Sequence, residues 1–133
     1  MTKTIRQTVL LSAVPARVYS ALLESKRHAK FTGAPAKISA KVGGTFTCYD
    51  GYISGVNVEL APARRIVQAW RSQGWPEGHY SLVTFALAKA SRSRTKLSFA
   101  QFGVPASDVK AKSEGWRTHY WTPLKAYLEQ GPT

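Results

Sequence analysis

Two groups with the chemistry of an acid–base pair stand close together in the stretch "WPEGH": the carboxylate of Glu77 and the imidazole of His79. Proton transfer would require a pocket around them, a further partner and a pKa near the working pH. Their setting supplies a turn instead. Pro76 fixes one backbone angle, Gly78 permits a positive one, and Gly74 adds a break upstream, so Glu77 is expected at a solvated tip. The motif is read as a turn. Trp75, beside it, is read first as packing under the sheet end and second as an apolar contact surface.

The other reactive side chains are scattered. His28 and His119 have no cysteine, histidine or carboxylate nearby at metal-ligand spacing, and Glu114 and His119 do not share a helix face. A single cysteine, Cys48, excludes a disulfide within the chain and any multi-cysteine zinc site. It shares an alternating strand with Phe46 and reads as a small buried hydrophobe, not as a thiolate nucleophile. There is no strained G-x-S-x-G turn, and Gly43-Gly44 alone is a turn or bulge, not a phosphate-cradling loop. No metal or cofactor is expected. An enzyme is the last of the readings, because no residue group assembles a recognisable mechanism.

Charge is the unusual bulk property. The 133 residues carry 19 Lys and Arg against 7 Asp and Glu, a formal net charge of +12. Such a field favours anionic partners. Nucleic acid competes for it, but no nucleic-acid-binding motif is present and the aromatics read as inward-facing. No run approaches the roughly 18 apolar residues of a membrane span. The start, "MTKTIRQTVLLSAVPA", pairs a basic end with a short apolar stretch, yet Thr4 to Leu11 alternates as a strand, so the expected location is cytoplasmic.

These side chains must be positioned by an α+β arrangement within one domain, residues 1–133. Ile5, Val9 and Leu11 share one face of a first strand. Pro15 suits a helix start, and Val18, Tyr19, Leu22 and Leu23 form its buried stripe, although Val14 is a poor cap. A short second helix in "KRHAKFTGAP" ends at Gly33 and Pro35. Asp50-Gly51 marks a hairpin. "YISGVNVEL", "RIVQAWR", "HYSLVTFAL" and "TKLSFAQF" then alternate with period two, an antiparallel meander. From Asp108, a capping candidate, to about Gln130 the period is helical, with Trp116, Tyr120, Leu124 and Tyr127 or Leu128 on one side and a kink due at Pro123.

"FTGAPAKISAKVGGTFTCYDGYISG", "ELAPARRIVQAWR", "WPEGHYSLVTF" and "GWRTHYWTPLKAYL" together resemble the Hsp90 ATPase activator homologue (Aha1 C-terminal-like) family of the SRPBCC, START/Bet v 1-like helix-grip superfamily. The resemblance runs from Ile5 to Leu128. It implies a curved antiparallel sheet wrapped around a long C-terminal helix, with two short helices after the first strand. It also implies a pocket for hydrophobic small molecules, as is common in the superfamily. The first residues fall within the first strand of that domain type, so a preceding chaperone-docking domain is not expected.

The expected cavity set is Phe46, Val58, Trp70, Phe85, Phe99, Trp116, Tyr120 and Leu124, with Gln68, Gln101 and His119 as candidate polar groups. Each apolar member is also an ordinary core residue. Alternate turns of a meander lie at one end of the sheet, so Arg64, Arg65, Lys89, Arg92 and Arg94 should converge there, opposite Asp50 and Glu77. That end is a candidate surface for an acidic partner, with solubility as the plainer explanation. Two functions follow as expectations: binding of a hydrophobic or amphipathic small molecule between sheet and helix, or docking on an Hsp90-type chaperone through Trp75 and the basic end.

Overall fold

Period-two burial through the middle of the chain resolves into strands, and the computed structural model describes residues 1–130. Residues 131–133, which the single-domain reading includes, lie outside the described residues. The first strand, β1 (Thr2–Leu11), is followed by α1 (Pro15–Leu23) and α2 (Ser25–Thr32). Six further strands come next: β2 (Lys37–Ile38), β3 (Thr45–Cys48), β4 (Ile53–Ala61), β5 (Arg65–Ser72), β6 (Ser81–Ser91) and β7 (Arg94–Pro105). A 3₁₀ turn, Ala106–Asp108, leads into α3 (Val109–Trp116), a π turn (Arg117–Trp121) and α4 (Thr122–Glu129).

The seven strands form one antiparallel sheet in the order β1-β7-β6-β5-β4-β3-β2. Sequential hairpins account for β2 through β7. The β1–β7 pair does not follow from local turns: Ile5 faces Gln101 and Leu11 faces Thr95 across nearly the whole chain. Two long, half-apolar strands make that pairing worthwhile, because it buries Ile5, Val9 and Leu11 against the inner row Leu97, Phe99 and Gln101.

The helix ends agree with the local chemistry at two points and depart from it at a third. Val14 makes no side-chain cap to α1, whose start rests on Pro15. The second helix stops at Gly33 in the left-handed region. Asp108, expected to cap, makes no cap hydrogen bond. Its carboxylate is drawn elsewhere, accepting from Trp75 Nε1 at 2.8 Å and pairing with Lys112 Nζ at 2.8 Å.

Pro123 does more than kink the C-terminal helix. An α-helix would pair residue 123's N–H with the His119 carbonyl, and proline has no N–H to give. The chain widens into the π turn, and the Tyr49 hydroxyl donates to the His119 carbonyl instead, at 2.5 Å. The wider turn brings adjacent Tyr120 and Trp121 both inward, where they join Trp116, Leu124, Tyr127 and Leu128 in the core. The helical stripe expected from the sequence omits Trp121, since an unbroken α-helix would point it aside. Among the described residues, no helix is long and apolar enough to cross a membrane.

Candidate functional site

The helix meets the sheet through rings. Trp116 is 2 % exposed, with its ring 4.4 Å from Phe99, 4.6 Å from Tyr120, 5.5 Å from Trp70 and 6.0 Å from Phe85. Its Nε1 donates to Gln101 Oε1 at 2.8 Å. Gln101 Nε2 donates to Ser81 Oγ, which in turn donates to the Trp70 carbonyl. The room expected for a ligand between Phe85 and Trp116 is therefore taken by side chains, because the π turn adds Trp121 to the same layer, 5.3 Å from Phe99.

An opening persists at one flank of that layer. A groove of about 400 Å³ lies between the β3–β4 turn and the C-terminal helix. Tyr49, Tyr52, Trp70, Trp116 and Tyr120 form its aromatic walls, and Lys112 and His119 also line it. Two backbone features shape it. Tyr49 sits at φ 52° on the turn, a conformation a bulky residue adopts only when held, and its hydroxyl bond to His119 holds it. Gly115 interrupts α3 where a Cβ would meet nothing nearer than His119 Cδ2 at 3.8 Å. Its missing side chain is open space in the groove.

The electrostatics at the rim are nearly balanced. Lys112 stands 5.5 Å from the Tyr52 ring centre and is paired with Asp108. Behind the groove, Tyr120 shares a 2.9 Å hydrogen bond with His28 Nε2. His28 is 2 % exposed, its Nδ1 has no hydrogen-bond partner, and burial pushes its pKa down to about 4. Burial pushes the Cys48 thiol up to about 12, so it stays protonated as a small core side chain. Burial also raises Tyr120 well above the usual phenol range. These groups sit in their uncharged forms at neutral pH. Among the described residues, no three His, Cys, Asp or Glu side chains gather as a metal site requires.

Of the expected cavity set, Trp70, Trp116, Tyr120 and His119 line the groove. Phe46, Phe85, Phe99 and Leu124 are core residues away from it. The Phe46 ring lies over Gly55, where any Cβ would run into that ring and the Ala69 carbonyl. Val58 is corrected outright: it is 49 % exposed on the outer face. A bulge between Asn57 and Glu59 follows an inward Asn57, whose amide donates to the Ser39 and Lys41 carbonyls and accepts from Gln68 Nε2. Both Gln68 and Gln101 are thus committed to the framework and do not face the groove.

The partner-surface set divides likewise. Trp75 is 8 % exposed and packs on Trp70 at 5.6 Å, which removes it from any contact surface and matches the packing alternative. Glu77 is exposed on a turn closed by His79 N–H donating to the Pro76 carbonyl at 3.0 Å. His79 Nε2 is bonded to the Gly103 carbonyl. Arg64, Arg65, Lys89, Arg92 and Arg94 are exposed around the β4–β5 and β6–β7 turns, and the Leu87 N–H donates to the Arg64 carbonyl across them. Arg65 is held by Glu59 at 2.8 Å.

Tyr49, Tyr52, Lys112 and Gly115 were not singled out by their sequence positions. The one signal for them was Pro123, which leaves a helix carbonyl in need of a donor.

Comparison with known proteins adds a family. AHSA1, described as Activator of Hsp90 ATPase homolog 1-like protein, matches residues 12–129. The human Activator of 90 kDa heat shock protein ATPase homolog 1 is 33 % identical over 128 residues, which are 96 % of this chain and 37 % of the human protein. The chain thus spans little more than a third of that relative's length. An HSP90 activator from Plasmodium falciparum has a similar structure, with a TM-score of 0.90, 23 % identity and coverage of 95 % of this chain and 96 % of that one. A Chromobacterium violaceum protein superposes with a TM-score of 0.78 at 30 % identity, covering 98 % and 99 % of the two chains.

Proposed function

The chain belongs to the Activator of Hsp90 ATPase homolog 1-like family, and from that premise we propose that it binds a hydrophobic or amphipathic small molecule in the groove beside α3, in the cytoplasm. The observation that carries this reading is Gly115. A glycine within a helix costs about 0.5–1 kcal/mol relative to alanine, and here the space it leaves is the groove itself. Aromatic walls supply apolar contact, and the hydroxyls of Tyr49 and Tyr52 with His119 orient a polar end.

Native mass spectrometry with a panel of lipids and metabolites tests it. Gly115→Ala should stabilise the protein by about 0.5–1 kcal/mol in urea unfolding while leaving the groove mostly open. Gly115→Leu should keep the fold and weaken any captured ligand at least tenfold. A ligand retained equally by Gly115→Leu is bound elsewhere, and no retained ligand from the panel argues against the reading.

A second reading has its own support: the relatives are named as activators of the 90 kDa heat shock protein ATPase, and a cluster of exposed cations occupies one end of the sheet. In this reading the domain docks on an Hsp90-type chaperone through Arg64, Lys89, Arg92 and Arg94, with Trp75 as buried support. Pull-down with such a chaperone should fail after Arg64, Arg65, Arg92 and Arg94 are changed to Glu. Undiminished capture would dismiss the basic end as the docking surface.

A further inference from the structure

A second concave surface lies on the opposite flank of the C-terminal helix, between it and the sheet's edge strand β1. This cleft, about 340 Å³, is bordered by Arg6, Thr8, Arg117, Trp121, Thr122 and Lys125. Arg117 and Lys125 bring two cations to it with no acidic lining residue. Ion pairs among the described residues are Arg27–Glu24, Arg65–Glu59 and Lys112–Asp108, so among these residues neither Arg117 nor Lys125 is paired with a carboxylate. Glu114 and Glu129 stand three and four residues from Arg117 and Lys125 on the helix, yet neither closes a pair.

The floor is fixed and already satisfied. Trp121 Nε1 donates to Gln7 Oε1 at 2.6 Å, and Gln7 Nε2 donates to the Ser113 carbonyl at 2.9 Å, which ties β1 to the helix across the cleft. Arg6 borders the cleft but sends its guanidinium over the outer face of the sheet, 5.1 Å from the Phe102 ring centre. The cleft thus offers an incoming molecule the cationic groups of Arg117 and Lys125 and the hydroxyl of Thr122. Two like charges beside one hollow repel each other, and their field favours an anion.

We propose that this cleft binds a multiply charged phosphate compound. One carboxylate would leave one of the two cations uncompensated, whereas the Arg117 guanidinium fork matches phosphate oxygens in pairs. Trp121 is only 4 % exposed and stacks on Trp116 inside, so it offers no ring face to a nucleic-acid base. The ligand is therefore a compact polyphosphate, free in solution or displayed as a lipid headgroup.

The test is an NMR titration of the whole chain with inorganic tripolyphosphate at physiological ionic strength, read at the Trp121 indole N–H and the Gln7 side-chain amide. Both signals should move and saturate. The double variant Arg117→Gln/Lys125→Gln should weaken binding by about tenfold or more, since each lost contact is a charge-assisted hydrogen bond. Arg92→Gln/Arg94→Gln, which removes equal charge from the far end of β6 and β7, should leave it unchanged. Tighter capture by phosphatidylcholine vesicles carrying a phosphoinositide, lost in the same cleft variant, would identify the headgroup as the source. Unmoved signals, equal weakening by both double variants, or tighter binding of a short single-stranded RNA through the same residues would each overturn the proposal.

Discussion

Replacing Trp116 by alanine is expected to remove about 5 kcal/mol of folding stability, enough to leave the protein largely unfolded at physiological temperature. Truncating a buried tryptophan costs about 3–5 kcal/mol through lost transfer energy and the cavity left behind. Here the cavity opens among Phe99, Tyr120, Trp70 and Trp121, whose rings all lie within 5.6 Å of Trp116, so little can collapse into it. The carbonyl end of Gln101 also loses its donor while buried, a further penalty of about 1–3 kcal/mol. A domain has about 5–15 kcal/mol in total. Trp116→Phe separates the two contributions, since it keeps a ring but loses the indole N–H; it should fold and cost about 2 kcal/mol. Urea unfolding of both variants checks the claim. An alanine variant within about 1 kcal/mol of wild type would mean that the helix is not held by the sheet through this ring.

Much of that arrangement is visible in periodicity. The alternation of Val83, Phe85 and Leu87 and of Leu97, Phe99 and Gln101 matches strands β6 and β7, and Trp116, Tyr120 and Leu124 fall on the helix face that meets them. Local turn chemistry places the breaks, as at Asp50-Gly51, where three consecutive positive φ angles close the β3–β4 connection. Properties that depend on distant partners do not show. Val58 looks like an inward strand residue until Asn57 is seen to anchor the β2–β3 loop. Trp121 looks peripheral until Pro123 forces a π turn that rotates it inward. The groove is hidden for the same reason: it exists only where the β3–β4 turn reaches the helix, and the contact that joins them, Tyr49 to His119, spans 70 residues. A proline in a helical stripe was the clue, because the His119 carbonyl it leaves unpaired must find a donor somewhere.

Acidification should destabilise the protein through one residue, His28. Its imidazole is buried against Phe31 and Tyr120, and its pKa falls from the ordinary value near 6.5 to about 4 because burial penalises the charged form. The unfolded chain binds this proton near pH 6.5 and the folded chain only near pH 4. Between those values the unfolded state carries more protons, so stability falls as the pH drops through that window and levels off below it. A gap of that size corresponds to about 3 kcal/mol, complete above pH 6.5 and lost by pH 4. Two of the three ion pairs are well exposed, and such pairs contribute little to stability. His28→Gln, which cannot titrate yet retains an amide for Tyr120, should flatten this part of the profile even if it lowers stability at neutral pH. Urea midpoints measured for both proteins from pH 7 to pH 4 decide it. Parallel profiles for wild type and His28→Gln would show that the acid sensitivity lies elsewhere and that His28 is protonated at little cost in the fold.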